Sequence, residues 1–288
     1  DIGDGIDGVA ADGLVPIFST KVRRRTQRLE LADTVVEIAF DEGTIEARGR
    51  REPLSEIELE LKAGHAGVLY GIGTELLEIA PLRIGAASKS DRGYGLAFDI
   101  APQANKAGPS GITAEHTVDD AIAVLLGANQ QHLLANQAVA EDGRNPEGVH
   151  QMRVALRRLR TAFSLFRREM PLASLTAFDN EARRLGKKLG AARNWDVFVD
   201  DALPGPAQAC ANHVSFAQLR AAAEPHREAS YAALREALHD AAYNRFQLSL
   251  GHWIERRGWR NEVPSEALGI LSEPISVLAG RALTKLED

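Results

Sequence analysis

Two stretches of the sequence carry side chains whose types and spacing could do chemistry. The first is HQMRVALRRLRTAFSLFRR, residues 150–168. Wound as a helix at ~100° per residue, it places His150, Arg153, Arg157, Arg160, Ser164 and Arg168 in one arc, with Arg167 at the edge. Met152, Leu156, Leu159, Phe163 and Phe166 fall in the opposite arc. The pattern predicts a helix with a core stripe and a cationic stripe ~25 Å long. RRLGKKLGAAR (183–193) repeats the arrangement: Arg184 and Lys188 stack one turn apart, as do Arg183 and Lys187. A charged helical face is usually just solvated. Here nearly all the charge has one sign, and like charges at this spacing repel. Arginine also suits phosphate oxygens, because its planar fork can bind them in pairs. The chain has a net charge of -6, so the positive field is local. The stripe predicts an extended polyanion as ligand. His150 is either a pH-sensitive donor to that ligand or an exposed histidine at a helix start.

The second stretch is LSEIELELK (54–62). As a strand it points Ser55, Ile57, Leu59 and Leu61 one way, and Glu56, Glu58, Glu60 and Lys62 the other. Three glutamates on one face need water, cations or basic partners. Residues 18–28 supply bases, with Lys21, Arg23 and Arg25 on one face and Arg24 and Arg28 on the other. Residues 35–41 put Glu37 and Asp41 opposite Val36, Ile38 and Phe40. Arg83, Lys89 and Arg92 follow. An open sheet with a wet charged face accounts for this pattern. So does a closed barrel with a polar lumen, where cations hold phosphates and carboxylates hold Mg²⁺ or Mn²⁺.

The elements that must position these groups change character along the chain. The first hundred residues have a strand rhythm: 15–31, 33–40, a turn signal at DEG (41–43), 44–52 and 54–62. Residues 67–79 have helical spacing, and PLRI (81–84) and GYGLAFDI (93–100) read as further strands. APQANKAGPSG (101–111) is a linker by composition. Beyond it, helices are predicted at 113–140, 146–170, 173–203, 211–239 and 241–257, and from about Ser265, with Pro and Gly between them. Trp195, Trp253 and Trp259 read as packing residues.

No apolar run approaches the ~20 residues needed to span a bilayer. The single Cys210 excludes an internal disulfide framework and a Cys-rich zinc site. No secretory signal is visible, which predicts a cytoplasmic protein. The start at Asp1 without methionine and the end at Asp288 inside a helical pattern suggest a piece of something longer.

VHQMRVALRRLRTAFSLF, followed by LGKKLGAARNWDVF, resembles the CHAD family over about 113–288. CHAD domains are all-helical and bind inorganic polyphosphate on a basic surface. The resemblance implies polyphosphate ligands His150, Arg153, Arg157, Arg160, Arg168, Arg184 and Lys188. Arg193-Asn194 stands where the family usually has Arg-Asp, Asp196 is kept, and the second basic helix of the family pattern is absent.

GLVPIFSTKVRRRTQRLEL, VVEIAFDEGTIEARGRREPLSEIELELKAG and PLRIGAASKSDRGYGL together resemble the carboxy-terminal part of the CYTH family, the triphosphate tunnel metalloenzymes. This resemblance favours the barrel. It implies triphosphate ligands Lys21, Arg23, Arg25, Lys62, Arg83 and Lys89, with Arg24 the alternative to Arg25, and Glu56 the alternative to Glu58 below, should the register slip by one residue. It also implies catalytic carboxylates Glu37, Asp41, Glu58 and Glu60, of which Glu58 and Glu60 hold the metal, Mg²⁺ or Mn²⁺. The family's opening Glu-x-Glu-x-Lys strand is not in the sequence.

The expected fold is α+β: an antiparallel β-barrel (tunnel) domain at 1–100, lacking its amino-terminal part, a linker at 101–112, and an all-α helical bundle at 113–288. The expected function is metal-dependent hydrolysis of inorganic triphosphate with a fused polyphosphate-binding domain, in the cytoplasm and associated with polyphosphate granules. No membrane partner is expected. The alternatives are a non-catalytic polyphosphate-binding scaffold, then a nucleotide cyclase or a nucleic-acid binder. The last ranks low because no aromatic platform accompanies the stripe.

Overall fold

The structure is a computed structural model that describes residues 15–85, 87–210 and 215–287. The described residues form two compact units. A sheet unit holds the strands to Lys62 and the segment Ala87–Ala101, and a helical unit holds the rest.

In the sheet unit, β1 (Ser19–Leu31), β2 (Thr34–Ala47) and β3 (Arg50–Ala63) pair in the order β1-β2-β3. The β1–β2 ladder is antiparallel, with Arg24 opposite Asp41 and Val22 opposite Gly43. Each hairpin turns through two residues, Ala32-Asp33 and Arg48-Gly49. Ala32 has φ 48°, and Arg48 and Gly49 have φ 49° and 76°, values that match the right-handed twist of paired strands. Among the described residues this is an open three-stranded sheet, not a closed barrel.

Besides the barrel, three expectations fail here. DEG (41–43) is not a turn, because β2 runs straight through it. A turn signal in sequence is only a propensity, and the neighbouring strand overrides it. The backbone of Lys21 sits where a Cβ of residue 43 would stand, so Gly43 permits close strand approach. GYGLAFDI is not a strand: it falls largely in α2 (Lys89–Phe98). The helix is started by Ser88, whose hydroxyl accepts the Asp91 N–H while the Asp91 carboxylate accepts the Ser88 N–H. It ends at Asp99 in the left-handed region. PLRI (81–84) is irregular.

The helical unit contains α1 (Gly67–Ile79), α3 (Val118–Ala135), α4 (Gln137–Asp142), α5 (Glu147–Glu169) and α6 (Ala173–Asp196). A π-type segment (Val197–Ala202) leads into α7 (Pro204–Ala209), α8 (Phe216–His239) and α9 (Ala241–Glu255). Two 3₁₀ segments, Gly258–Asn261 and Ser265–Ser272, precede α10 (Ile275–Glu287). α5 packs between α3 and α6, and α1 packs on α9. The predicted apolar arc of α5 is the core: Met152, Leu156, Leu159, Phe163 and Phe166 are all buried. Thr117 caps α3 by accepting the Asp120 N–H. Trp259 is fully buried, and its indole N–H donates to Asp119 at 2.7 Å. Trp253 meets Phe178 edge-on, as expected of a packing residue.

Gly43→Ala should separate β1 from β2 locally and destabilise the sheet unit by ~1–3 kcal/mol. Denaturant unfolding of the whole chain, followed by far-ultraviolet circular dichroism, checks this.

Candidate functional site

The β1–β2 register puts Arg24 across from Asp41 on one face of the sheet. The guanidinium donates in parallel to both carboxylate oxygens, at 2.7 and 2.6 Å. Its Nη2 also donates to Glu58 Oε2 at 2.5 Å. From the start of α2, Lys89 Nζ lies 2.8 Å from Asp41 Oδ2 and 2.5 Å from Glu58 Oε1, and it also pairs with Glu56. Asp41 is 1% exposed. Its bond from Arg24, aided by Lys89, outweighs the effect of burial and holds its pKa down to about 2. The Lys89 bond likewise lowers Glu58. Burial works against the charge on Lys89, but Asp41, Glu56 and Glu58 overcome it and raise its pKa.

The carboxylate oxygens of Asp41, Glu56 and Glu58 lie within 4.8 Å of one another. Three hard oxygen donors this close fit Mg²⁺ or Mn²⁺. Lys89 Nζ touches all three carboxylates, so a divalent ion would have to displace it. The chemistry available is an exchange: an anionic ligand draws off the two cations and frees the acids.

The predicted residues divide. Asp41, Glu58 and Lys89 come together, with Arg24 and Glu56 in place of Arg25 and Glu60. Lys62 binds Glu60 at 2.8 Å and Glu37 at 3.4 Å, forming a separate group. Lys21, Arg23 and Arg25 are on the other face: alternation from Arg24 places them there, and Lys21 pairs with Glu46 and Arg25 with Glu42. A shift of one residue exchanges the two faces, and only the cross-strand register fixes which one is occupied. Arg83 lies in the helical unit, where it donates to His239 at 2.9 Å and approaches Glu141 at 3.7 Å.

In the helical unit α5 presents its cationic arc as expected, and α6 supplies one acid beneath it. Asp179 is 4% exposed. It pairs with Arg160 at 2.8 Å and Arg183 at 2.9 Å, with Arg167 at 3.9 Å. Arg184 pairs with Glu181. Among the described residues no acidic partner lies within salt-bridge distance of Arg153, Arg157, Arg168 or Lys188, nor of the neighbouring Lys187. Arg153 lies across α6 at Gly190, where a Cβ would sit 2.9 Å from its Nη1. His150 is half-buried one turn before Arg153. Asp196 plays a structural part: it accepts from Tyr231 Oη at 2.9 Å and Arg227 Nε at 3.0 Å, tying α6 to α8. Sequence reasoning missed Asp179 and gave Arg24 and Glu56 only as alternatives to Arg25 and Glu58. Arg24 and Glu56 each carried a visible signal, as the neighbours in register of residues that were chosen.

Among the described residues, no helix is long and apolar enough to cross a membrane. The CHAD domain family matches residues 124–288. A curated relative described as an inorganic triphosphatase, from Haemophilus influenzae, is 40% identical over 81 residues, 28% of this chain and 23% of that protein. The chain therefore spans about a quarter of that relative's length. A crystal structure of the CHAD domain from the plant Ricinus communis superposes with a TM-score of 0.49 at 27% identity, covering 65% of this chain and 57% of that one.

The depressed Asp41 pKa sets a pH dependence. Its stabilisation is complete above the ordinary value of 3.8 and is lost as pH falls toward about 2. Thermal unfolding of the wild-type sheet unit should weaken across that window. Asp41→Asn should be less stable at neutral pH and flatter across the same range.

Proposed function

The chain belongs to the CHAD domain family, and from that premise we propose that its helical unit binds inorganic polyphosphate along α5 and α6 while its sheet unit holds a triphosphate for hydrolysis. The observation that supports the binding role is the set of cations on the stripe, Arg153, Arg157, Arg168, Lys187 and Lys188, that have no acidic partner within salt-bridge distance among the described residues. They are spaced along ~20 Å of helix, which suits a linear chain of phosphates. Asp179 keeps Arg160 and Arg183 facing the same way.

The hydrolytic role rests on the Asp41 cluster, on the resemblance of the strands to the triphosphate tunnel enzymes, and on the relative named inorganic triphosphatase. In this reading Arg24 and Lys89 transfer their bonds from carboxylates to phosphate oxygens. Asp41, Glu56 and Glu58 would hold a divalent metal, and Glu58 is placed to orient a water that attacks the terminal phosphorus as the P–O bond to the leaving diphosphate breaks. A bound Mg²⁺ or Mn²⁺ would neutralise charge on the transferring phosphoryl group. No protein nucleophile is required. The division of labour, with a triphosphate unit at 1–100, a linker at 101–112 and a polyphosphate unit at 113–288, belongs to this proposal. So do a cytoplasmic location and association with polyphosphate granules.

One observation favours a second reading, polyphosphate binding without hydrolysis. Each acid of the Asp41 cluster already has a cationic partner, and the described strands leave the sheet open.

Arg153→Glu with Arg157→Glu should weaken binding to long-chain polyphosphate by at least ~30-fold, ~2 kcal/mol, with thermal unfolding unchanged; fluorescence titration reads it. For hydrolysis, phosphate release from tripolyphosphate should require Mg²⁺ or Mn²⁺, and Lys89→Met should raise KM. Absence of release with either ion leaves the binding-only reading in place.

A further inference from the structure

We infer that a cleft between α3, α5 and the strap 105–110 of the helical unit binds a small organic anion that carries a hydroxyl and an apolar body, about the size of a nucleoside monophosphate. The cleft has a volume of about 720 Å³, within the range of small-molecule sites. One wall is apolar, made by Leu125 and Ala128 of α3 with Leu165 of α5. Lys106 of the strap and Arg157 and Arg158 of α5 line the remainder, and none of the three has an acidic partner within salt-bridge distance among the described residues. Arg157 belongs to the polyphosphate stripe as well, whereas Arg158 lies ~100° round the helix from it, so the cleft adjoins the stripe and Lys106 and Arg158 are its own cations.

His132 supplies the polar observation. It lines the cleft and is 7% exposed. Its Nε2 is 2.9 Å from the Asn105 carbonyl oxygen. A carbonyl only accepts, so Nε2 carries the proton, and in the neutral ring Nδ1 is left as an acceptor. Nδ1 is buried without a hydrogen-bond partner. Buried acceptors are rarely left so, and the group that completes this one must donate, as a ligand hydroxyl does. The strap is fixed rather than loose. The Asn105 N–H donates to Asn136 Oδ1, and Asn136 Nδ2 donates back to the Asn105 carbonyl, both at 2.9 Å. The cleft is thus preformed, with three cations, an apolar wall and, on a lining side chain, one unsatisfied acceptor. Inorganic polyphosphate has no apolar body to use that wall, so the cleft selects a different ligand class from the stripe.

The probe is AMP, titrated calorimetrically into the full chain. Saturable binding with Kd below ~1 mM is expected, weakened at least ~10-fold by Lys106→Glu with Arg158→Glu. The Nδ1 resonance of His132 in nitrogen-labelled wild-type protein should move as AMP saturates, a readout that needs no variant to fold. Tripolyphosphate should leave that resonance in place. No saturable AMP binding, binding indifferent to the double substitution, or an unmoved Nδ1 signal each overturns the inference. Because Arg153 is untouched in these variants, failure here is separable from failure of polyphosphate binding.

Discussion

A buried carboxylate shared by more than one cation organises each unit of this molecule. Asp179 lies beneath Arg160, Arg167 and Arg183, and Asp41 is shared by Arg24 and Lys89. Taking a charged acid out of water costs several kcal/mol unless it is paired and hydrogen-bonded. Each acid is therefore held in one geometry, and it fixes the direction of the long basic side chains that reach it. A flexible arginine on a free helix would sample many rotamers. Arginines converging on one carboxylate are oriented before any ligand arrives, which reduces the entropy that binding must overcome.

The two units use this constraint differently. In the sheet the count balances, with Asp41, Glu56 and Glu58 against Arg24, Lys89 and, at 3.7 Å from Glu56, Arg92, and every member is engaged. In the proposed reading a phosphate would enter by exchange, taking Arg24 and Lys89 from Asp41 and Glu58. That exchange would leave acids unpaired for a divalent ion, so anion and metal binding would support each other. In the helical unit the count does not balance. Asp179 holds the arginines nearest to it, while Arg153, Arg157 and Arg168 remain available. In the proposed reading, binding there needs no such exchange.

Periodicity made α5 legible, because the core arc and the cationic arc of one helix are both fixed by 3.6 residues per turn. Helix ends at Pro and Gly were readable for the same local reason. The sheet was less legible. Its strands could be seen, but RRR at 23–25 offers a base on each face, and ELE at 58–60 does not say which acid meets which base. The answer lies in the pairing of Arg24 with Asp41 across 17 residues, which is tertiary information. DEG at 41–43 misled because a turn propensity is weak against a paired neighbour. GYGLAFDI misled because alternation outvoted the Ser88–Asp91 cap beside it. His132 gave no signal in sequence at all, since its significance is a missing partner, a property of the packed state alone.

The stripe on α5 is costly to keep. Arg153 and Arg157 lie one turn apart with like charge, as do Lys187 with Arg183 and Lys188 with Arg184, and each such pair disfavours its helix slightly. Folding alone would replace some of them with acids, giving favourable pairs at the same spacing. The chain has 40 acidic residues against 34 Lys and Arg, so acids are not scarce; they are placed elsewhere. Gly190 points the same way, since a glycine inside α6 lowers helix stability and its evident gain is room for Arg153 to lie across it. A local arrangement that opposes stability without a compensating contact is where function is to be sought. On α5 and α6 that arrangement is a surplus of positive charge beside the arginines that Asp179 orients, and in the proposed reading the force that would balance it is a polyanion from outside the chain.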